Sequence, residues 1–310
     1  MSKYSKNIPP SIIGAIGWFY DDLDEGISLL DFGCSTGYYG AYIKEHKKAT
    51  VYGVEISEDK KEAAKVLDGV YSFDLDGEWP EEVYERKYDA VFFGDVIEHL
   101  KDPERALRLT RKLLNKNGRV YVSTPNIAHI SIRLELLGGN FEYESMGILD
   151  NTHLKYFTYD SLTKICVAAG YDIMRIDSSI SDYPKEVIES YLEKYGLKPS
   201  KKFWEVVNDP KARTFQYKLV LSPAKKTTKT RVPDPIKKPE QYKKDFIQNL
   251  YDALEKSQKE AIQSKAIAEE QEKNNKKLLA AIEDIRNSQT FKLAKGLSGM
   301  KQKIKRSKRK

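Results

Sequence analysis

The run Leu29-Leu30-Asp31-Phe32-Gly33-Cys34-Ser35-Thr36-Gly37-Tyr38-Tyr39-Gly40 places an acid near the end of an apolar stretch and three glycines after it. This pattern reads as a buried strand entering a turn that opens a helix. Glycine tolerates positive φ and lets bare backbone approach a ligand, because it has no Cβ to hold the ligand off. Glu55 follows about twenty positions later, at the end of a second strand, Val51-Tyr52-Gly53-Val54. In a doubly wound sheet those strand ends are neighbours, and a carboxylate there accepts hydrogen bonds from a ribose diol. The combination points to a nucleoside ligand. Ser35 stands where the Gly-x-Gly-x-x-Gly pattern needs its second glycine, which excludes the usual dinucleotide.

The same logic puts polar groups at other strand ends. Tyr88-Asp89-Ala90-Val91-Phe92-Phe93 opens into Gly94-Asp95-Val96-Ile97-Glu98-His99-Leu100. The third strand is expected to end in Asp74-Leu75, a carboxylate for an adenine amine and an apolar wall for its ring. The fifth ends in Ser123-Thr124-Pro125-Asn126. Asp95, Glu98 and His99 offer close oxygen and nitrogen ligands to a divalent ion, but acids here would equally neutralise a helix N-terminus. His153 and His99 are the candidate bases, since imidazole titrates near neutrality and a hydroxyl is a poor nucleophile until its proton is taken. His153 has a structural alternative, holding the irregular segment before a helix begun by Thr158. His129 either lines an acceptor pocket or fixes its own loop. His46, among Lys44, Glu45, Lys47 and Lys48, reads as solvated, and Cys34 as a small packing group rather than a nucleophile.

These residues need a parallel α/β scaffold, and residues 1–222 alternate apolar runs with amphipathic stretches accordingly. Strands are expected at 28–33, 50–55, 70–74, 88–93, 118–124, 171–177 and 214–222. Helices are expected at 10–22, 37–46, 58–66, 103–115 and 158–169, with extra helical material over 182–208. Asp102-Pro103 supplies an N-cap and an N1 proline for the 103–115 helix, and Asn117-Gly118 is expected to stop it. The fold class is therefore a doubly wound, seven-stranded, mostly parallel sheet. Residues 223–240 carry four prolines among lysines and threonines and read as a linker. A three-four spacing from Ile247 to Ile285 predicts a coiled coil over 241–288 with a polar centre, a solvated single helix being the alternative.

Taken together, Leu29 to Gly40, Glu55, Asp74-Leu75, Gly94 through His99 and Pro125-Asn126 resemble a class I S-adenosylmethionine-dependent methyltransferase over about residues 1–222. The resemblance implies S-adenosyl-L-methionine as cofactor. The loop Gly33, Cys34, Ser35, Thr36 and Gly37, with Asp31, would hold its methionine part. Glu55, with Ile56 beside it, would bind the ribose, Asp74 and Leu75 the adenine, and the backbone near Gly94 and Asp95 the amino group. The family has glycine where this chain has Ser35. Asp95-Val96-Ile97-Glu98-His99-Leu100 and Asp102-Pro103 are similar to ubiquinone-pathway O-methyltransferases, which imply Mg2+ at Asp95, Glu98 and His99. Thr124-Pro125-Asn126-Ile127-Ala128-His129 and Gly147 through Thr158 look closer still to methyltransferases of bacterial surface-polysaccharide pathways. That resemblance implies methyl transfer to a sugar hydroxyl of a glycan or lipid-linked intermediate. A small aromatic or quinone-like acceptor is the second reading. A coiled-coil assembly protein with a cofactor-binding but non-catalytic domain is the third.

Charge distribution limits the partners. Of 53 Lys and Arg, nine lie in residues 291–310, which hold no acid, so the other 44 face 46 acids. This split disfavours a globally basic nucleic-acid binder. Leu293, Leu297, Met300 and Ile304 would share one helical face among those bases, so residues 289–310 are expected to meet an anionic membrane surface or to stay solvated. Nucleic acid is the weaker partner, with only Phe291 to stack on a base. Two cysteines exclude a disulfide framework or a cysteine metal site, no apolar run reaches eighteen residues, and the first residues lack an apolar signal segment. A cytoplasmic setting is expected, at most peripheral to the inner membrane face.

Overall fold

The computed structural model describes residues 17–225. Its strands are β1 (Ser28–Phe32), β2 (Thr50–Val54), β3 (Gly69–Tyr71), β4 (Tyr88–Gly94), β5 (Leu114–Pro125), β6 (Tyr171–Ile180) and β7 (Thr214–Pro223). They form one sheet in the order β3-β2-β1-β4-β5-β7-β6. β3 through β5 pair in parallel, whereas β7 runs antiparallel between β5 and β6. The expected seven-stranded, mostly parallel sheet is therefore present. β1 and β4 are neighbours although β2 and β3 lie between them in sequence. This reversal of strand order opens a crevice at their carboxyl ends.

The central strands are apolar on both faces because helices cover both. Leu30, Phe32, Val91 and Phe93 pack into one layer, while Leu29, Ala90 and Phe92 pack into the other. The helices are α1 (Gly17–Tyr20), α2 (Tyr38–Lys47), α3 (Lys60–Ala63), α4 (Pro103–Thr110), α5 (Ile130–Leu137), α6 (Tyr159–Ala168), α7 (Lys185–Lys194), α8 (Lys201–Val207) and α9 (Pro210–Arg213). Asp102 caps α4 through the Arg105 N–H, with Pro103 at N1 as expected. Thr158 and Ser161 form a capping box on α6.

Several expectations need correction. α4 ends at Thr110 and gives way to a 3-10 turn, Arg111–Leu113, before β5 begins at Leu114. Asn117-Gly118 therefore stops no helix. It lies where β5 bulges, its register to β4 jumping from Tyr88–Leu114 to Ala90–Arg119. A Cβ at Gly118 would stand 2.7 Å from the Tyr88 carbonyl oxygen, so close backbone approach explains that glycine. β3 ends at Tyr71, so Asp74 and Leu75 lie on the loop beyond it. The 58–66 helix is reduced to Lys60–Ala63. α5 was not expected at all. The extra helical material forms as α7 and α8, whose Ile188, Leu192 and Val207 close over Ile130 and Leu134 of α5. β7 reaches Pro223, the first residue of the expected linker. The remaining linker from residue 226, the coiled coil and the basic tail lie outside the described residues.

Candidate active site

The glycine turn is tied to the end of β2. The N–H groups of Gly33 and Cys34 both donate to the Val54 carbonyl, at 2.9 and 3.1 Å. Gly33, Ser35 and Gly37 all have left-handed backbones, with φ of 69°, 47° and 75°. Gly37 is the N-cap of α2. Its hydrogen could not be a methyl, because a Cβ there would lie 2.9 Å from the Ala63 Cα. Ser35 accepts the strain that glycine would avoid, at about 1–2 kcal/mol. It is held by two bonds: its N–H donates to Glu55 Oε2 at 2.8 Å and its hydroxyl to Asp59 at 2.9 Å. Glu55 takes the Ser57 N–H on its other oxygen, also at 2.8 Å. One carboxylate thus fixes two loops and keeps lone pairs on a half-buried oxygen pair.

Asp31 sits beneath this turn, paired in register with Gly53 and Phe92. It is buried, and its carboxyl is pushed up to about 8, first by loss of solvent and then by the negative charge of Glu55. Neither acid forms an ion pair among the described residues. Two close carboxylates without a counter-ion, beside a backbone cradle, suit a cationic ligand such as a sulfonium carrying an amino group. The residues therefore fit the expected cofactor. Cys34 turns inward and is buried, with its sulfur against the space left by Gly53. Burial pushes its thiol well up, which is the packing role expected of it. Thr36 is half-buried in the turn. Ile56 stands out from Glu55 with 63% of its surface exposed, whereas Leu75 is buried with Trp79 in the core. Asp74 is exposed and accepts the Asp76 N–H at 2.9 Å.

The loop after β4 lies against the glycine turn, since a Cβ at Gly33 would stand 2.8 Å from a Val96 methyl. Gly94 is excluded from carrying a side chain by the Phe92 ring, 2.5 Å from such a Cβ. Asp95 has a left-handed φ of 54°. Its carboxylate accepts from the Ser123 hydroxyl at 3.0 Å and from Gln216 at 2.6 Å. Burial raises its pKa, and those two donors oppose the rise. The loop then forms a 3-10 turn, Ile97–His99, that buries Glu98. The Glu98 carbonyl accepts the N–H groups of Leu154 and Lys155, at 2.8 and 2.9 Å, and so binds the irregular segment carrying His153 to this turn.

Glu98, His99 and His153 are brought together with ligand atoms all within 4.8 Å of one another. Burial, and next the charge of Asp95, raise the Glu98 carboxyl well above the usual range. Burial lowers the pKa of the His153 imidazole, and its bond to the Ile148 carbonyl opposes that fall. Asp95 is not in this group, its carboxylate being committed to β5 and β7. The set expected for Mg2+, three groups with two carboxylates, is replaced by two imidazoles and one carboxylate, a poor fit to an ion that prefers oxygen. Gln216, which holds Asp95, was not expected. It is 121 residues away in sequence, and only the antiparallel β7 brings it there.

His129 resolves to its structural alternative. It is buried, caps α5, and uses both ring nitrogens, on the Ser131 hydroxyl at 2.8 Å and the Ser181 carbonyl at 2.9 Å. His46 lies at the end of α2, bonded to the Tyr42 carbonyl. Asn126 is wholly buried, and its amide ties β5 to the carbonyls of Lys211 and Thr214.

Residues 11–176 match a family model described as a methyltransferase domain. A ubiquinone biosynthesis O-methyltransferase of Leptothrix cholodnii is 24% identical over 156 residues, covering 48% of this chain and 66% of that protein. The protein of the same description from Neisseria meningitidis is 26% identical over 159 residues, covering 48% and 65%. The match thus spans just under two thirds of these relatives' length. A crystal structure of a SAM-dependent methyltransferase from Archaeoglobus fulgidus aligns with 70% of this chain and 94% of its own at 18% identity, with a TM-score of 0.48.

Proposed function

The chain belongs to the methyltransferase domain family that its residues 11–176 match, and from that premise we propose that it transfers a methyl group from S-adenosylmethionine to a hydroxyl oxygen. One observation carries the reading. A glycine turn pinned by Glu55 and underlain by Asp31 lies at the β1–β4 reversal, directly against the loop that bears Glu98 and His99. When bound, the cofactor supplies an electrophilic methyl carbon. The protein's part is to hold that carbon in line with the acceptor oxygen, exclude water and take the hydroxyl proton.

Asp31 and Glu55 supply negative charge to the sulfonium and ammonium side of the cofactor, and Glu55 presents oxygens to ribose hydroxyls. Ile56 offers an exposed apolar surface to a flat ring. The proton acceptor is the Glu98–His99–His153 group. Both imidazoles give their Nδ1 side to backbone carbonyls and keep Nε2 for the acceptor. The acceptor would meet the aromatic surface beside His153, where Tyr156 packs edge-on to the imidazole and Phe141 and Tyr143 are exposed. Its Phe141–Tyr143 and Phe141–Tyr156 edge-to-face contacts make a shelf on which a sugar face or an aromatic ring can lie.

A sugar hydroxyl of a glycan or lipid-linked intermediate is the acceptor that most needs such a basic group, because it is far less acidic than a phenol. A phenolic or quinone-like acceptor is the second reading, favoured by the O-methyltransferase relatives. The test is transfer of labelled methyl from S-adenosylmethionine to parallel panels of glycans and phenols. Labelled glycan supports the first reading and labelled phenol the second. Label on neither, with cofactor bound, would sink transfer to these oxygen acceptors.

A further inference from the structure

Glu98 is the least satisfied charged group among the described residues. Its side chain is 1% exposed, neither carboxylate oxygen has a hydrogen bond of full geometry, and the Thr124 hydroxyl is the neighbouring side-chain donor that acts on it. A buried carboxylate left in this way costs several kcal/mol unless a cation or a proton compensates it. Two imidazoles face it. His153 Nε2 is 4.0 Å from Glu98 Oε1, and the rings of His99 and His153 stand 4.8 Å apart and steeply inclined.

Each imidazole is oriented from behind. His153 Nδ1 meets the Ile148 carbonyl at 3.0 Å, and His99 Nδ1 meets the Thr152 carbonyl at 3.1 Å. A carbonyl only accepts, so the ring protons sit on Nδ1 and both Nε2 atoms carry lone pairs. A buried carboxylate and two imidazoles thus face one another with ligand atoms all within 4.8 Å.

We infer that Glu98, His99 and His153 bind a divalent transition-metal ion of the zinc class through one carboxylate oxygen and the two Nε2 atoms. Imidazoles backed by carbonyls through their other nitrogen are the habitual form of metal-ligating histidine. Two nitrogens and one carboxylate oxygen make a three-ligand zinc set that leaves a coordination position open. Mg2+ instead takes oxygen ligands in an octahedron. Ligands on a tetrahedral ion at about 2.1 Å lie about 3.4 Å apart. The present separations of 4.0–4.8 Å close to that by side-chain rotation of about an ångström. With the ion bound, both Nε2 lone pairs would be occupied. The group would then act by lowering the pKa of an acceptor oxygen at the ion's open position, the proton leaving to solvent, and the imidazoles would serve as bases only in the metal-free protein. The site rests on ligand geometry alone, so it stands whichever acceptor is methylated.

The experiment uses full-length protein stripped with a chelator and then titrated with Zn2+ against a chromophoric competitor. One equivalent should bind at submicromolar concentration and resist millimolar Mg2+. His153→Ala and His99→Ala should each weaken it by at least about 100-fold, while Asp95→Asn leaves it within a few-fold. X-ray absorption at the zinc edge of the wild-type protein needs no variant to fold. The chain has four histidines, of which His129 spends both nitrogens and His46 lies on α2. A two-imidazole signature would therefore come from His99 and His153. Absence of imidazole scattering, displacement by Mg2+, or unchanged affinity in both histidine variants would overturn the site. Cofactor titration of the same stripped protein reads the methyltransferase proposal separately.

Discussion

Asp31 and the histidines divide the chemistry of this molecule by burial. Asp31 carries a folded-state pKa of about 8 against an ordinary 3.8, so it binds a proton in the folded apo protein that the unfolded chain releases near pH 4. The sign follows from that. The stability associated with this neutral carboxyl is full below about pH 4 and is lost as pH rises through about 8. A cationic cofactor favours the ionised form, so its affinity should rise with pH up to about 8. In Asp31→Asn that pH dependence should flatten, as calorimetry at several pH values would show. The two buried histidines should separate cleanly. His153→Ala is expected to lower turnover by about 100-fold or more with cofactor affinity retained. His129→Ala strands buried partners and should cost about 1–3 kcal/mol of stability without a selective effect on turnover. Chemical denaturation paired with steady-state rates would show the two patterns, and the reverse assignment would mean that the roles had been exchanged.

Loops at the ends of β1, β2 and β4 carry the candidate site, and Ser35 and Asp95 in two of them hold left-handed backbones. Ser35→Gly should relieve about 1–2 kcal/mol of left-handed strain while forfeiting the Asp59 bond, leaving cofactor affinity within a few-fold. Gly37→Ala meets both a φ of 75° and the Ala63 backbone, and should unfold the turn and abolish binding. Thermal melts and calorimetry on the two variants would check this, and a tolerant Gly37→Ala would refute the close approach. The sheet was legible in the sequence because its central strands are apolar runs between helical or turn signals, while β6 alternates between buried and more exposed residues. α5 was not, because Ile130-Ser131-Ile132-Arg133-Leu134 alternates like a strand. The structure shows why: Ile130 and Leu134 pack on α7 and α8, while Ile132 packs the other way on Ile148 and Leu149. α4 ends before the local pattern suggests because Gly118 serves a bulge in β5 rather than a helix cap. The glycine turn, Glu55 and the histidine pair could be named from local pattern. Their partners Gln216, Ile148 and Thr152 could not, since only folding sets them beside the site.

At the scale of the whole chain, the described domain is joined in sequence to a segment with coiled-coil spacing and a basic end. Among the described residues no helix is long and apolar enough to cross a membrane. Deleting residues 241–288 is expected to convert an oligomer into a monomer by light scattering, with the domain still folded. Removing 289–310 is expected to abolish flotation with anionic liposomes, and flotation that survives the truncation would contradict the membrane reading. The central claim is narrower and concerns the crevice at the β1–β4 reversal. Calorimetric titration of the full-length protein with S-adenosylmethionine tests it most directly. One site of micromolar affinity, weakened at least tenfold in Glu55→Ala, is the predicted result. No binding, affinity unchanged in Glu55→Ala, or a preference for NAD would contradict it.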